Sequence, residues 1–139
     1  MSGVMIVRDV MSRNVKTVRP DDTVHQAVQK MVKFDIGSVI VINSGRPVGI
    51  LTDTNILRRI VAPRLDPATV WVKDIMTSPL ITVDENTPLE EAARIMAEKK
   101  INRLPVLRNG KLVGLLSSSD IVKASPTQLS ILEELLRVT

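Results

Sequence analysis

The chain is written twice. A shift of 65 residues lays Val7-Arg8-Asp9-Val10-Met11-Ser12 on Val72-Lys73-Asp74-Ile75-Met76-Thr77. The register then runs without a gap to Leu57, which falls on Val122, and 14 of these 51 positions are identical. The identities include Met11/Met76, Thr17/Thr82, Ala27/Ala92, Gly45/Gly110 and Gly49/Gly114, and most other positions exchange one aliphatic residue for another. Two copies of one unit in a short chain imply a pseudo-twofold arrangement with two related clefts between the halves. Any site is then expected twice, and differences between the copies point to the better equipped one.

The 139 residues are one ordinary domain by length. Each copy is marginal alone, at about 50–60 residues, so one cooperative unit with a shared core is expected. The expected division is copy one over 1–61, a linker over 62–71, copy two over 72–125 and a terminal helix over 126–139. The only aromatics are Phe34 and Trp71, so the core must come from Val, Ile, Leu, Ala and Met. No apolar run approaches the ~18 residues of a membrane span. The first residues, Met1 to Val7, carry no signal-peptide pattern, and there is no cysteine for disulfide or thiol chemistry. The expected compartment is the cytoplasm. The net charge of +4 is spread along the chain without the interleaved aromatics that stack single-stranded bases. It fits a solvated basic surface or a few cations beside an anionic ligand, and makes nucleic acid the weaker reading.

Each copy reads β-α-β-β-α, an α/β unit. A short extended piece comes first, Lys16-Thr17-Val18 or Ile81-Thr82-Val83. A helix follows, capped by Asp22 in copy one; in copy two Thr87 is the cap, Pro88 the first helical residue and Glu90 the capping-box partner. Its apolar face is Val24, Ala27, Val28, Met31 and Val32, mirrored by Leu89, Ala92, Ala93, Met96 and Ala97, with the methionines as core filler. Two nearly continuous apolar strands follow in each copy, which suggests cover on both faces. They are joined by the turns Ser44-Gly45 and Asn109-Gly110, the second being the stronger hairpin signal. A final helix opens near Thr52–Asn55 and Ser117–Asp120. Pro63 and Pro67 break the linker, and Trp71 closes it. After Pro126, Leu129, Ile131, Leu132, Leu135, Leu136 and Val138 make a broad apolar face that either packs back or meets a partner.

Catalysis finds little support. His25, the only histidine, stands among polar neighbours as a solvated imidazole, and no Cys or His cluster offers a metal site. Neither a Walker loop nor a GxGxxG turn is present. Asp21-Asp22 and Glu90-Glu91 fit helix starts, where acidic groups complement the dipole. The informative positions lie where the last strand meets the last helix: Gly49-Ile50-Leu51-Thr52-Asp53-Thr54-Asn55 and Gly114-Leu115-Leu116-Ser117-Ser118-Ser119-Asp120. Both place an Asx three residues after a hydroxyl. That pattern caps a helix. It also suits a nucleotide, with helix-start amides for a phosphate, the Asx for a ribose diol and strand aliphatics such as Ile50 and Leu115 against a base.

Two such copies, each with Asp-(Val/Ile)-Met-(Ser/Thr), a Thr-Val strand and a closing Gly-aliphatic-Leu-(Thr/Ser)-x-x-(Asn/Asp), resemble a tandem pair of cystathionine β-synthase (CBS) domains, a Bateman module, over about residues 7–124. The resemblance implies two clefts that take adenosine-containing ligands such as AMP, ADP, ATP or S-adenosylmethionine. It also implies no obligatory cofactor, pairing of modules into a homodimer and regulation of a protein partner. It assigns the ribose to Asp120 and Asn55 and the phosphate vicinity to Ser117 and Thr52. Basic residues before the second strand would hold phosphate, a place filled by Asn102-Arg103 in copy two and Gly37-Ser38 in copy one. The adenine would rest on Ser12, Val15, Ile36 and Gly37 in the Asp120 cleft, and on Thr77, Leu80, Ile101 and Asn102 in the Asn55 cleft. Arg58, Arg59 and Lys123 either reach a phosphate or end their helices in solvent.

The Asp120 cleft ranks first, because it pairs a charged ribose acceptor with Arg103. A charge-assisted hydrogen bond contributes roughly 1.5–3 kcal/mol against about 1 for a neutral one. The leading expectation is a non-enzymatic nucleotide sensor without a membrane segment. The rivals are an interaction module with empty clefts and a nucleic-acid binder.

Overall fold

The computed structural model describes residues 4–124 and Glu134. The expected terminal helix after Pro126 therefore lies outside the described residues. Along the chain run α1 (Val7–Val10), β1 (Thr17–Val18), α2 (Val24–Lys33), β2 (Ser38–Asn43), β3 (Arg46–Thr52) and α3 (Asp53–Ile56), which continues into a π-helical turn, Leu57–Val61. Then come α4 (Val72–Ile75), β4 (Val83–Asp84), α5 (Leu89–Lys99), β5 (Arg103–Arg108), β6 (Lys111–Ser117) and α6 (Ser118–Ala124). The β-α-β-β-α order holds in both copies, each preceded by a helical turn, α1 or α4, that the sequence reading did not assign.

These elements form two compact units whose boundaries differ from those of the repeats. One is continuous, Val15–Leu80; the other is discontinuous and joins Met1–Asn14 to Ile81–Thr139. Each unit holds a three-stranded sheet, β1-β2-β3 or β4-β5-β6, with the first pair parallel and the second antiparallel. Each copy thus lends its leading Asp-x-Met segment to the other copy's sheet. In the discontinuous unit Ser12 bridges Leu115, and Val7, Met11, Leu89, Met96, Leu104, Leu116 and Ile121 share one buried cluster. In the continuous unit Thr77 bridges Ile50, and Val72 and Ile75 join Val24, Ala27, Met31, Val39 and Leu51. The expected shared core is realised as two clusters, each built from residues of both copies.

The duplicated Met and Gly explain this exchange. A Cβ on Gly114 would collide with the Met11 thioether and lie 2.9 Å from the Ser12 carbonyl oxygen. On Gly49 it would collide with Met76 and lie 3.0 Å from the Thr77 carbonyl oxygen. Only a residue without a side chain lets the strand approach that closely. At the hairpins, Ser44-Gly45 and Asn109-Gly110 have the same positive φ angles, +52° then +78°, so the turn read as the weaker adopts the same geometry.

The helix starts differ from expectation by one residue. Thr23, not Asp22, caps α2: its hydroxyl accepts from Gln26 N–H at 3.1 Å, and the Gln26 side chain receives Thr23 N–H at 2.8 Å. Asp22 is occupied by the Arg19 N–H, at 2.8 Å. In copy two the extended Pro88, not Thr87, takes the cap position, with no side-chain cap; Leu89 N–H instead reaches the Met5 carbonyl at 2.9 Å. Val32, expected on the buried face, is 75% exposed. The methionines Met11, Met31 and Met96 are buried core residues as expected. β2 is buried over its first four residues, in keeping with its continuous apolar sequence.

Candidate ligand-binding corners

Each unit carries its closing motif at the corner where the last strand turns into a helix. In the discontinuous unit Arg103 stands opposite Ser117 across the β5–β6 pair, and the Asn102 carbonyl accepts Ser118 N–H at 2.9 Å. Ser12 and Leu115 exchange two backbone hydrogen bonds of 2.9 Å. This unit therefore brings together Ser12, Asn102, Arg103, Leu115, Ser117 and Asp120. Ile101 belongs to it as well, half-buried against its core. In the continuous unit Ser38 stands opposite Thr52, Ile50 exchanges backbone bonds with Thr77, and the Gly37 carbonyl accepts Asp53 N–H at 3.0 Å. Ile36, Gly37, Ser38, Ile50, Thr52, Asn55 and Thr77 thus share one corner, and Val15 and Leu80, both half-buried, lie at the two ends of the same unit.

Both motifs form capping boxes. Ser117 N–H donates to Asp120 Oδ2 at 2.9 Å, and Asp120 N–H donates to Ser117 Oγ at 3.1 Å. Thr52 N–H donates to Asn55 Oδ1 at 3.0 Å, and Asn55 N–H donates to Thr52 Oγ1 at 3.1 Å. The hydroxyls are thereby engaged, and Ser117 also shares a hydrogen bond of 2.9 Å with Ser119. The Asx side chains then diverge. Asn55 Nδ2 donates to Thr77 Oγ1 at 3.0 Å, and Asn55 is only 8% exposed. Asp120 is half-buried, and its Oδ1 has no hydrogen-bond partner among the described residues. An ionised carboxylate accepts on both oxygens, so this one keeps accepting capacity for a diol.

The neighbouring basic residues also divide. Arg59 is exposed, and its Nη1 donates to the carbonyls of Ile75 at 2.9 Å and Met76 at 3.1 Å, closing the C-terminus of α4. The copy-two position is Ala124. Arg58 and Lys123 are exposed, as is His25, whose backbone N–H donates to the Pro67 carbonyl. Among the described residues no group of three His, Asp or Glu is placed to hold a metal, and no helix is long and apolar enough to cross a membrane.

The sequence is similar to known proteins over nearly its full length. An uncharacterised protein of Methanopyrus kandleri is 36% identical over 130 residues, covering 92% of this chain and 66% of that protein. The CBS domain-containing protein YhcV of Bacillus subtilis is 34% identical over 115 residues, covering 83% of this chain and 81% of YhcV. Among solved structures, an uncharacterised conserved protein from Pyrococcus horikoshii superposes with a TM-score of 0.81 at 38% identity, covering 91% of this chain and 96% of that one. A hexameric CBS-CP12 protein from bloom-forming cyanobacteria gives 0.83 at 34% identity, covering 91% and 75%. The CBS domain family model matches residues 7–62 and 72–127. A duplicated β-α-β-β-α unit, two closing Gly-aliphatic-Leu-(Thr/Ser)-x-x-(Asn/Asp) corners and these matches have one reading: the chain belongs to the CBS domain family and carries two copies of that regulatory module.

Proposed function

We propose that this chain is a non-enzymatic cytoplasmic sensor that reversibly binds an adenosine-containing ligand, AMP, ADP, ATP or S-adenosylmethionine. One observation carries the reading: the half-buried Asp120 keeps Oδ1 without a partner among the described residues, beside a capped helix start and opposite-strand Arg103. In this reading Asp120 accepts a ribose hydroxyl, Arg103 attracts a phosphate and Leu115 supports the base. A thermal-shift panel of AMP, ADP, ATP, S-adenosylmethionine, NAD and short oligonucleotides tests it. Anything that binds only the folded state raises its stability. A concentration-dependent rise with an adenosine compound is expected. No calorimetric heat from any of them at millimolar concentration would sink the sensor reading. A steep salt dependence with oligonucleotides alone would favour nucleic acid instead.

A second observation favours self-association. In the continuous unit Val32 and Leu57, 75% and 60% exposed, line an apolar recess of about 430 Å3 together with Val28, Ile36 and Ile56. Contiguous apolar surface of this kind marks association sites. A homodimer through this surface is the expected state, and a single-chain sedimentation mass at micromolar concentration would exclude it.

A further inference from the structure

The far end of the β1-β2-β3 sheet holds a second recess, of about 470 Å3, lined in part by Thr17, Arg19, Asp22, Lys30 and Ser44. β2 runs from Ser38, beside the Thr52–Asn55 corner, to Asn43, beside the hairpin turn. At ~3.3 Å per residue the two places are about 17 Å apart along the strand. The recess is therefore separate from the corner described above.

Its cations are placed without being consumed. Lys30 is half-buried, and its ammonium donates to the Thr17 carbonyl at 2.6 Å. An ammonium has three donors, so two remain. The Arg19 guanidinium has no hydrogen-bond or ion-pair partner among the described residues. Asp22 spends one oxygen on the Arg19 backbone N–H. Two cations against one carboxylate leave the recess positive.

The other copy shows that the fold does not require this charge. At the equivalent positions copy two has Thr82, Asp84, Thr87, Ile95 and Asn109. The same helix packs on the same kind of sheet with Ile95 in place of Lys30 and Asp84 in place of Arg19. Holding an ammonium half out of water costs free energy that the apolar residue avoids. A structural need common to both copies cannot account for Lys30.

We propose that this recess is a binding site for a small phosphorylated molecule, with the phosphate between Lys30 and Arg19 and a hydroxyl of the ligand donating to the free oxygen of Asp22. A volume of about 470 Å3 suits an organic phosphate better than the bare ion, since small-molecule sites run from about 300 to 1,000 Å3.

The test is an amide NMR titration of the full chain with glycerol 3-phosphate, inorganic phosphate and glycerol at matched ionic strength. Saturable shifts at Arg19, Lys30, Ser44 and Gly45 with glycerol 3-phosphate are expected, weaker ones with inorganic phosphate and none with glycerol. Lys30→Ile and Arg19→Asp, which copy the other repeat, should each weaken binding about tenfold or more. Lys30→Met serves if the isoleucine disturbs the fold, as judged by the remaining resonances. Shifts spread over all basic surface residues, unchanged affinity in the double variant, or no response at millimolar ligand would each overturn the site. Adenosine in a parallel titration keeps this result distinct from the nucleotide reading, because it carries no phosphate and its shifts should fall near Ser117–Asp120 and leave Lys30 unmoved.

Discussion

Asn55 and Asp120 occupy the same place in two units with the same topology, yet they are in different chemical states. The amide of Asn55 has a donor as well as an acceptor, and the structure uses both: Oδ1 caps Thr52, and Nδ2 ties the helix start to Thr77. The carboxylate of Asp120 has only acceptors, so after the cap one oxygen is left over among the described residues, and Ser12, at the place of Thr77, makes no hydrogen bond to it. One corner is closed on itself and the other is open to an outside donor. A one-residue difference between an amide and an acid therefore separates a structural joint from a candidate binding group.

The comparison can be broken or sharpened by substitution. The largest effect is expected where the units are alike. Gly49→Val and Gly114→Val each drive a side chain into a methionine and a backbone carbonyl, and each should destabilise by about 3 kcal/mol in chemical denaturation. A large loss at one glycine only would show that the two exchanged segments are not equivalent.

Ligand affinity comes next. Asp120→Ala should weaken AMP by roughly tenfold to a hundredfold, about 1.5–3 kcal/mol, while Asn55→Ala should weaken it less. Arg103→Ala should harm AMP more than adenosine, since the lost contact is to phosphate. The Asp120 and Arg103 losses need not add, because both residues would hold one ligand. Calorimetric titrations of the three variants decide the ranking, and abolition by Asn55→Ala with Asp120→Ala intact would reverse it.

Stability should show the opposite order. Asn55→Ala removes the side-chain acceptor of the Thr52 N–H and the buried bond to Thr77, at a cost of about 2 kcal/mol, whereas Asp120→Ala removes only the acceptor of the Ser117 N–H, at about 1 kcal/mol. Equal losses in urea melts would mean that the Thr77 bond contributes nothing net.

The smallest effect concerns Glu85, which stands where copy one has Pro20. It is 3% exposed, its Oε1 has no hydrogen-bond partner among the described residues, and its Oε2 lies 3.7 Å from the exposed Arg108. An unsatisfied buried oxygen costs stability, and a surface guanidinium at that distance offsets little of it. Glu85→Met should therefore stabilise the chain by about 1 kcal/mol, measured by the same melts.

The order of elements was readable because it rests on local chemistry. Hairpin dipeptides, the 3.6-residue apolar rhythm of Val24–Met31 and Leu89–Met96, and the hydroxyl-to-Asx spacing are all short-range patterns. The repeat gave the duplication, and the motif order pointed to the family. Even the Asp/Asn inequality could be seen as a difference in charge. Helix starts slipped by one residue because Asp22 and Thr23 are both competent caps, and the Arg19 N–H decided between them.

Other features depended on distant partners. The sequence repeats Met11/Met76 and Gly49/Gly114 faithfully but does not say that Met11 meets Gly114 and Met76 meets Gly49 across copies. Nor does it say that Thr77 saturates Asn55, that Arg59 ends on the carbonyls of α4, or that Glu85 is buried. Periodicity and capping are set by residues three or four positions apart, so one chain segment suffices to specify them. Close approach, hydrogen-bond saturation and burial are set by residues far apart in the chain, and only the tertiary structure brings those together.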